Sequence, residues 1–225
     1  MTCLEFSNAF DVLLASYKYK PEFENSYSLE DLVFDEYEKS VFLTKAQEEI
    51  LLSYYSGKNN DTYEQTEEIR RYFSSLNKEL ALPSIKTESF LEFEKLTFST
   101  PKDLWFITFE AITSPNKLVV PIRREELYKT LQNPFKNNLY CFRLEGSQEE
   151  VEDTLILIGK NIQKCVYTIN YIAKPSPIIL TELEEDLTID GMSTKTECIV
   201  HSGLHNKILD RAVALAIASR TIIQK

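Results

Sequence analysis

Apolar residues recur every three or four positions across residues 35–57, as Phe42, Ala46, Ile50 and Tyr54, with Leu43, Leu51 and Tyr55 beside them. That spacing predicts an amphipathic helix with one face on a core. Asp35 stands where an N-cap belongs, Glu36 and Glu38 suit the positive end of the helix dipole, and Gly57 falls where a left-handed C-terminal residue is wanted. A second stripe, Leu4, Phe10, Leu13, Leu14 and Tyr17, predicts a helix to about Lys18. Thr2 and Glu5 have capping-box spacing at its start, and Pro21 ends the element. Residues 22–28 read as a loop and 29–33 as a short turn. A further turn at 58–61 leads to a third helix, capped by Asp61 or Thr62 and running to about Asn77, with Tyr63, Ile69, Tyr72, Phe73 and Leu76 on its buried side.

Beyond Pro83 the period changes. Residues 90–98 alternate apolar Leu91, Phe93 and Leu96 with Glu92, Glu94 and Lys95, a strand pattern. Residues 104–112, LWFITFEAI, are rich in aromatic and β-branched side chains and lie between Pro101 and Pro115, which predicts a largely buried strand. Residues 118–122, 139–144, 154–158 and 165–172 are further strand candidates, separated by Gly146 and by Gly159-Lys160-Asn161. Between them, 123–131 reads as a short helix stopped before Asn133 and Pro134. Short strands joined by turns favour an antiparallel sheet or small barrel over a parallel sheet. Residues 174–180, KPSPIIL, are extended and, with two prolines, belong at a sheet edge or outside it. The last helix starts near Ser202 or Gly203 and runs to about Arg220; it is apolar over more than half its circumference, so it packs on several sides. The predicted class is α+β: a helical bundle from the N-terminal helices (1–82) and the C-terminal helix (196–225), with a mainly antiparallel β domain inserted at 83–195.

Composition narrows the class of molecule. The chain has 225 residues, 43% of them hydrophobic and 12% aromatic, with five glycines and eight prolines, which fits a globular protein and not a disordered one. No apolar run approaches the ~18 residues of a membrane helix, and Glu5 and Asp11 interrupt the segment where a signal peptide would be uncharged, so a soluble cytosolic product is expected. The net charge of −10 argues against DNA binding driven by counterion release. It is uneven: residues 1–80 carry −8, 81–190 carry −5 and 191–225 carry +3, so the two ends of the chain could attract each other or a neighbour. Cys3, Cys141, Cys165 and Cys198 show no paired spacing and read as buried small hydrophobes.

Little in the chain points to catalysis. Cys198, His201 and His205 form a C-x2-H-x3-H run, short of the four ligands a structural zinc needs. Ser202 beside His201 lacks a nucleophile elbow. The carboxylate pairs Glu48-Glu49, Glu67-Glu68 and Glu184-Glu185 are adjacent in sequence and would diverge by about 100° on a helix. Arg70-Arg71 and Arg123-Arg124 are more in keeping with salt bridges than with a phosphate site. No Walker A, dinucleotide or EF-hand motif occurs. The residues therefore imply no enzyme, no cofactor and no metal.

The segment DEYEKSVFLTKAQEEILLSYYSG followed by YEQTEEIRRYFSSL resembles the N-terminal region of structural proteins from crAss-like tailed bacteriophages. TPKDLWFITFEAI, VPIRREELYKTLQNPFK, YIAKPSPIIL and ECIVHSGLHNKILDRAVALA resemble later parts of the same proteins, in the same order. The resemblance implies a virion protein of the neck or tail, assembled in the host cytoplasm: a homo-oligomeric, dodecameric ring through which DNA passes without sequence-specific binding, away from any membrane. It implies an adaptor docking on the portal, or else another ring further along the tail. A monomeric binding module, or a metal-dependent hydrolase using Cys198 and the histidines, are the competing classes. For the adaptor, the basic C-terminus, Arg220, Thr221, Ile222, Ile223, Gln224 and Lys225, is the expected docking tail.

Overall fold

A computed structural model describes residues 1–18, 33–57, 67–113, 116–137, 139–145, 154–162, 165–184 and 186–223. The loop expected at 22–28, most of the turn after it, the turn and cap at 58–62 and the turn at Gly146 lie outside these residues. The class is α+β, with six helices among the described residues, α1 (Cys3–Lys18), α2 (Glu36–Tyr55), α3 (Glu67–Tyr72), α4 (Leu127–Leu131), α5 (Pro134–Asn137) and α6 (His205–Ile223). Eight strands, β1 (Asn77–Leu82), β2 (Lys86–Phe90), β3 (Phe93–Ser99), β4 (Leu104–Thr113), β5 (Lys117–Arg123), β6 (Tyr140–Glu145), β7 (Thr154–Gly159) and β8 (Val166–Ala173), form one sheet. The chain divides into two compact units, one of residues 1–76 with 175–225 and one of residues 77–174.

In the second unit the strand order is β1-β8-β4-β5-β6-β7-β3-β2. All neighbours pair antiparallel except β5 and β6. The order itself forces curvature. The outermost strands, β1 and β2, are consecutive and joined by residues 83–85, a span of at most about 15 Å at ~3.8 Å per residue. Eight flat strands would hold them roughly 34 Å apart at ~4.8 Å per strand. The sheet therefore curls so that its two edges approach, and one face becomes an interior. Leu96, Phe98, Cys141, Leu157, Tyr167 and Ile169 fill it, with the Phe98 and Tyr167 rings 4.9 Å apart.

The parallel β5–β6 pair needs a crossover of a dozen or more residues. A 3-10 turn at Arg124–Glu126, α4 and α5 supply it. Leu127 and Leu131 of this crossover pack on Ile122, Phe142, Ile156 and Ile158, a second cluster on the other side of the sheet.

Two expectations are corrected. The third helix stops at Tyr72 and residues 77–82 are a strand. The buried face of α2 is not the expected apolar stripe: beside Leu43, Ala46 and Leu51 it carries Lys39, Ser40, Thr44 and Gln47, while Phe42, Ile50 and Tyr54 are only half-buried. Residues 174–180 lie outside the sheet, one of the two places expected for them. Segment 176–180 lies along α2, and that helix's polar face is the reason. Leu180 N–H donates to Ser40 Oγ (3.0 Å), Ile178 N–H donates to Thr44 Oγ1 (3.0 Å), and Gln47 Nε2 donates to the Ser176 carbonyl (2.9 Å). Positions i, i+4 and i+7 of a helix advance by ~6 and ~4.5 Å, near the ~6.6 Å between alternate residues of an extended chain. The intervening Ile179 pairs with Thr196 instead, N–H to O at 3.1 and 3.0 Å. An extended segment without a sheet thus has its backbone satisfied on both sides, as burial demands.

The ends of α2 match the sequence. Asp35 Oδ1 accepts from Glu38 N–H (2.7 Å) and Glu38 Oε2 accepts from Asp35 N–H (3.2 Å), a full capping box. Gly57 has φ 71°, the left-handed region that glycine enters without cost.

Candidate functional site

The charged groups of the first unit are arranged between its helices. Lys39 is almost fully buried between α1 and α2, and its Nζ donates to Asp11 Oδ2 (2.8 Å), Glu36 Oε1 (3.0 Å) and Ser7 Oγ (3.2 Å). Burial alone would lower the Lys39 pKa, but the hydrogen bonds to Asp11 and Glu36 outweigh it and raise the ammonium above its usual range. Three acceptors around three N–H donors satisfy the group completely. This is the signature of a clamp and not of a reactive amine. On α6, Arg211 meets Glu49 of α2 at 2.7 Å and Lys207 lies over the Tyr54 ring.

Arg220, the first residue of the expected docking tail, pairs with Glu38 Oε1 at 3.0 Å and covers the Phe34 ring at 5.3 Å. Thr221, Ile222 and Ile223 continue the backbone of α6, and Gln224 and Lys225 lie outside the described residues.

The C-x2-H-x3-H run does not converge. Cys198 Sγ donates to Gln47 Oε1 (3.3 Å), and His201 Nδ1 accepts from Gly203 N–H (3.1 Å). His205 is buried against Phe6, its Nε2 2.9 Å from the Val200 carbonyl and its Nδ1 2.7 Å from the Met1 nitrogen. A carbonyl can only accept, so Nε2 carries the proton and Nδ1 is the acceptor. Burial holds the His205 pKa below its usual value, and the nearby Met1 amine and His201 push the same way. Among the described residues no three His, Cys, Asp or Glu side chains lie together as a metal site would need. Burial, first, raises the thiol pKa of Cys3, Cys141, Cys165 and Cys198, which favours the protonated thiol over the nucleophilic thiolate.

The second unit holds a polar cluster that hydrophobic patterning does not find. The register sets Glu110 of β4 opposite Ile169 and Arg143 of β6 opposite Leu157, on the interior side. Arg143 Nε donates to both Glu110 oxygens (2.9 and 2.8 Å), and Tyr167 OH donates to Oε2 (2.5 Å). Burial first, then the Glu110 charge, drive the Tyr167 pKa far up, so the phenol stays a donor. The one signal in the sequence was the glutamate inside the apolar run LWFITFEAI. β4 and β5 pair only through Ala111 and Ile112, and Arg143 reaches Glu110 where that ladder has ended. Near the sheet's edge, Lys78 of β1 and Tyr171 of β8 both donate to Asp103, at 2.5 and 3.1 Å. The Lys78 bond is the main reason that the Asp103 pKa is lowered. The Glu110–Arg143 pair is buried, whereas Lys78 and Asp103 are half exposed at the surface.

An open groove of about 880 Å3 lies between α1 and α6 in the first unit, lined by Glu5, Ala9, Val12, Leu13, Leu209 and Asp210 among others. It is shallow, and among its charged side chains Glu5 is already held by the Thr2 cap, N–H to Oε2 at 2.8 Å. Among the described residues no helix is long and apolar enough to cross a membrane.

Comparison with known proteins gives this geometry its context. The chain is 39% identical over 238 residues to "Ring protein 3" of Bacteroides phage crAss001, covering 98% of this chain and 97% of that protein. It is 32% identical over 232 residues to "Ring protein 4/5" of the same phage, covering 97% and 93%. The family model described as phage tail ring protein 3/4 matches residues 1–225. With a family model matched over the whole chain and two ring proteins matched nearly end to end, the chain belongs to the phage tail ring protein 3/4 family of crAss-like phages.

Proposed function

We propose that this protein is a non-enzymatic structural subunit of a ring in the phage tail, built from copies of itself and stacked on other ring proteins. The observation that carries the reading is the family match over the whole chain, with two ring proteins covered nearly end to end. The ring is read as twelvefold and as surrounding the path of the DNA. The names "Ring protein 3" and "Ring protein 4/5" favour a place among stacked tail rings over the portal-docking adaptor, which is the second reading. If a C-terminal tail docks on an adjoining ring, that role falls to residues 221–225, since Arg220 is engaged by Glu38. The net charge of −10 supports a channel wall that repels phosphate and does not hold the genome in transit.

Electron microscopy of purified virions, with the chain marked by a bound antibody fragment, tests this. Label on a ring of the tail is expected. Label on the capsid shell, or chain absent from virions, would overturn the reading, and a channel lined by lysine and arginine would overturn the electrostatic part alone.

A further inference from the structure

Among the described residues, two surface features leave large apolar side chains open to solvent. On α1, Leu4 and Val12 are 69% and 70% exposed. Val12 continues into the groove whose apolar floor is Ala9, Leu13 and Leu209 and whose charged rim is Glu5 and Asp210. On the β5–β6 crossover, Phe135 is 85% exposed and Tyr128 60%, and the exposed Lys129 and Lys136 stand beside them. The crossover is fixed in place. Leu127 and Leu131 are sunk in the outer cluster, and Asn133 Oδ1 accepts from Phe135 N–H at 3.1 Å. Phe135 is therefore a pre-positioned apolar knob whose nearest charged neighbour in the chain is Lys136, with the exposed Arg124, Glu125 and Glu126 nine or more residues away along the crossover, and the groove is an apolar slot with Glu5 and Asp210 on its rim.

We propose that the Phe135 knob of one subunit seats in the α1–α6 groove of the next copy of this chain, with Lys129 and Lys136 against Glu5 and Asp210. This rests on the ring reading above. A closed ring of identical subunits needs two different, complementary patches on each subunit, because a self-complementary patch closes a dimer and stops. Charge selects this pairing. Groove against groove would oppose carboxylates and knob against knob would oppose lysines, whereas knob against groove matches them. An aromatic anchor in an apolar slot inside a charged rim is the usual anatomy of a specific interface. Exposed apolar patches of this kind mark contact sites on otherwise well-packed proteins.

The test uses phage carrying Val12→Cys together with Gln132→Cys, an exposed crossover position that leaves Phe135 in place, their virions treated with a short bismaleimide and the chain followed by immunoblot. A ladder of multimers up to the ring's copy number is expected from the double variant and monomer from each single one. Phe135→Asp should weaken subunit association about thirtyfold or more, as for a central aromatic anchor. Asp210→Lys should cut the yield of rings, and adding Lys136→Glu should restore it. Virions that contain the chain in a ring but give no ladder and no charge-swap rescue would overturn this contact and leave the ring reading standing. A cross-link from position 12 to a different virion protein would overturn a second copy as the occupant. Absence of the chain from virions would overturn both.

Discussion

The two units solve the problem of buried backbone in different ways. Residues 77–174 are one continuous stretch whose strands satisfy one another, and with 13 basic and 13 acidic side chains the stretch is electrically neutral. The other unit joins the two ends of the chain and carries the whole net charge of −10. It buries an extended segment, 176–180, that has a helix for a partner, so side chains must do what a neighbouring strand would do. The comparison teaches that the neutral unit is specified by local alternation, and the acidic unit by contacts between residues more than a hundred positions apart.

The largest effect should come from separating the units. Residues 77–174 expressed alone are expected to unfold cooperatively on heating, followed by circular dichroism. Residues 1–76 alone, without α6 and the 176–180 segment, are expected to show no cooperative transition. Equal behaviour of the two fragments would break the comparison.

Within the neutral unit, Glu110→Ala leaves the Arg143 guanidinium buried without its carboxylate and Tyr167 without its acceptor. A loss of about 3–5 kcal/mol is expected from the urea midpoint. Replacing both charges, Glu110→Leu with Arg143→Leu, should cost clearly less, because no unpaired charge remains. A loss under about 1 kcal/mol for the single change would mean that the pair is still hydrated.

In the acidic unit, Thr44→Val keeps the shape and removes both hydrogen bonds to Ile178. About 1–3 kcal/mol is expected, where the same substitution at an exposed threonine would be near neutral. A neutral result at Thr44 would show that the polar face of α2 is not what holds segment 176–180.

The smallest effect concerns pH. His205 is held below its ordinary value of 6.5, so the folded state binds the proton less readily than the unfolded chain does. The stability linked to this group is fully present above pH 6.5 and declines as pH falls through the lower folded value. Thermal melts at about pH 7.5 and 5 should show this decline, and His205→Gln should remove that component. No difference between the two proteins would mean that folding leaves the proton affinity of His205 unchanged.

Legibility in the sequence followed this division only in part. β3 to β8 could be read because their side chains alternate or run apolar and their breaks carry Pro and Gly. β1 and β2 could not: NKELAL has one buried residue, Leu82, and KTESF has none. The capping box and Gly57 of α2 were legible because caps are local. Its inward face was not, because Ser40, Thr44 and Gln47 look like solvent-facing residues until segment 176–180 is brought to them. The Lys39 and Glu110 clusters were hidden for the same reason, each being a charge whose partners lie at least 28 residues away on another element, Glu36 excepted. The groove and the knob left only faint traces, exposed apolar residues in otherwise ordinary stretches.

The polar face of α2 also bears on how the protein is made. Ser40, Thr44 and Gln47 leave the ribosome 140, 134 and 129 residues ahead of the groups they bind. At roughly 5–20 residues per second that is a wait on the order of ten seconds. An apolar face of the same extent would spend that interval as an adhesive surface among many nascent copies of one chain. Hydroxyls and an amide pass it hydrated, and exchange water for backbone only when the last quarter of the polypeptide arrives.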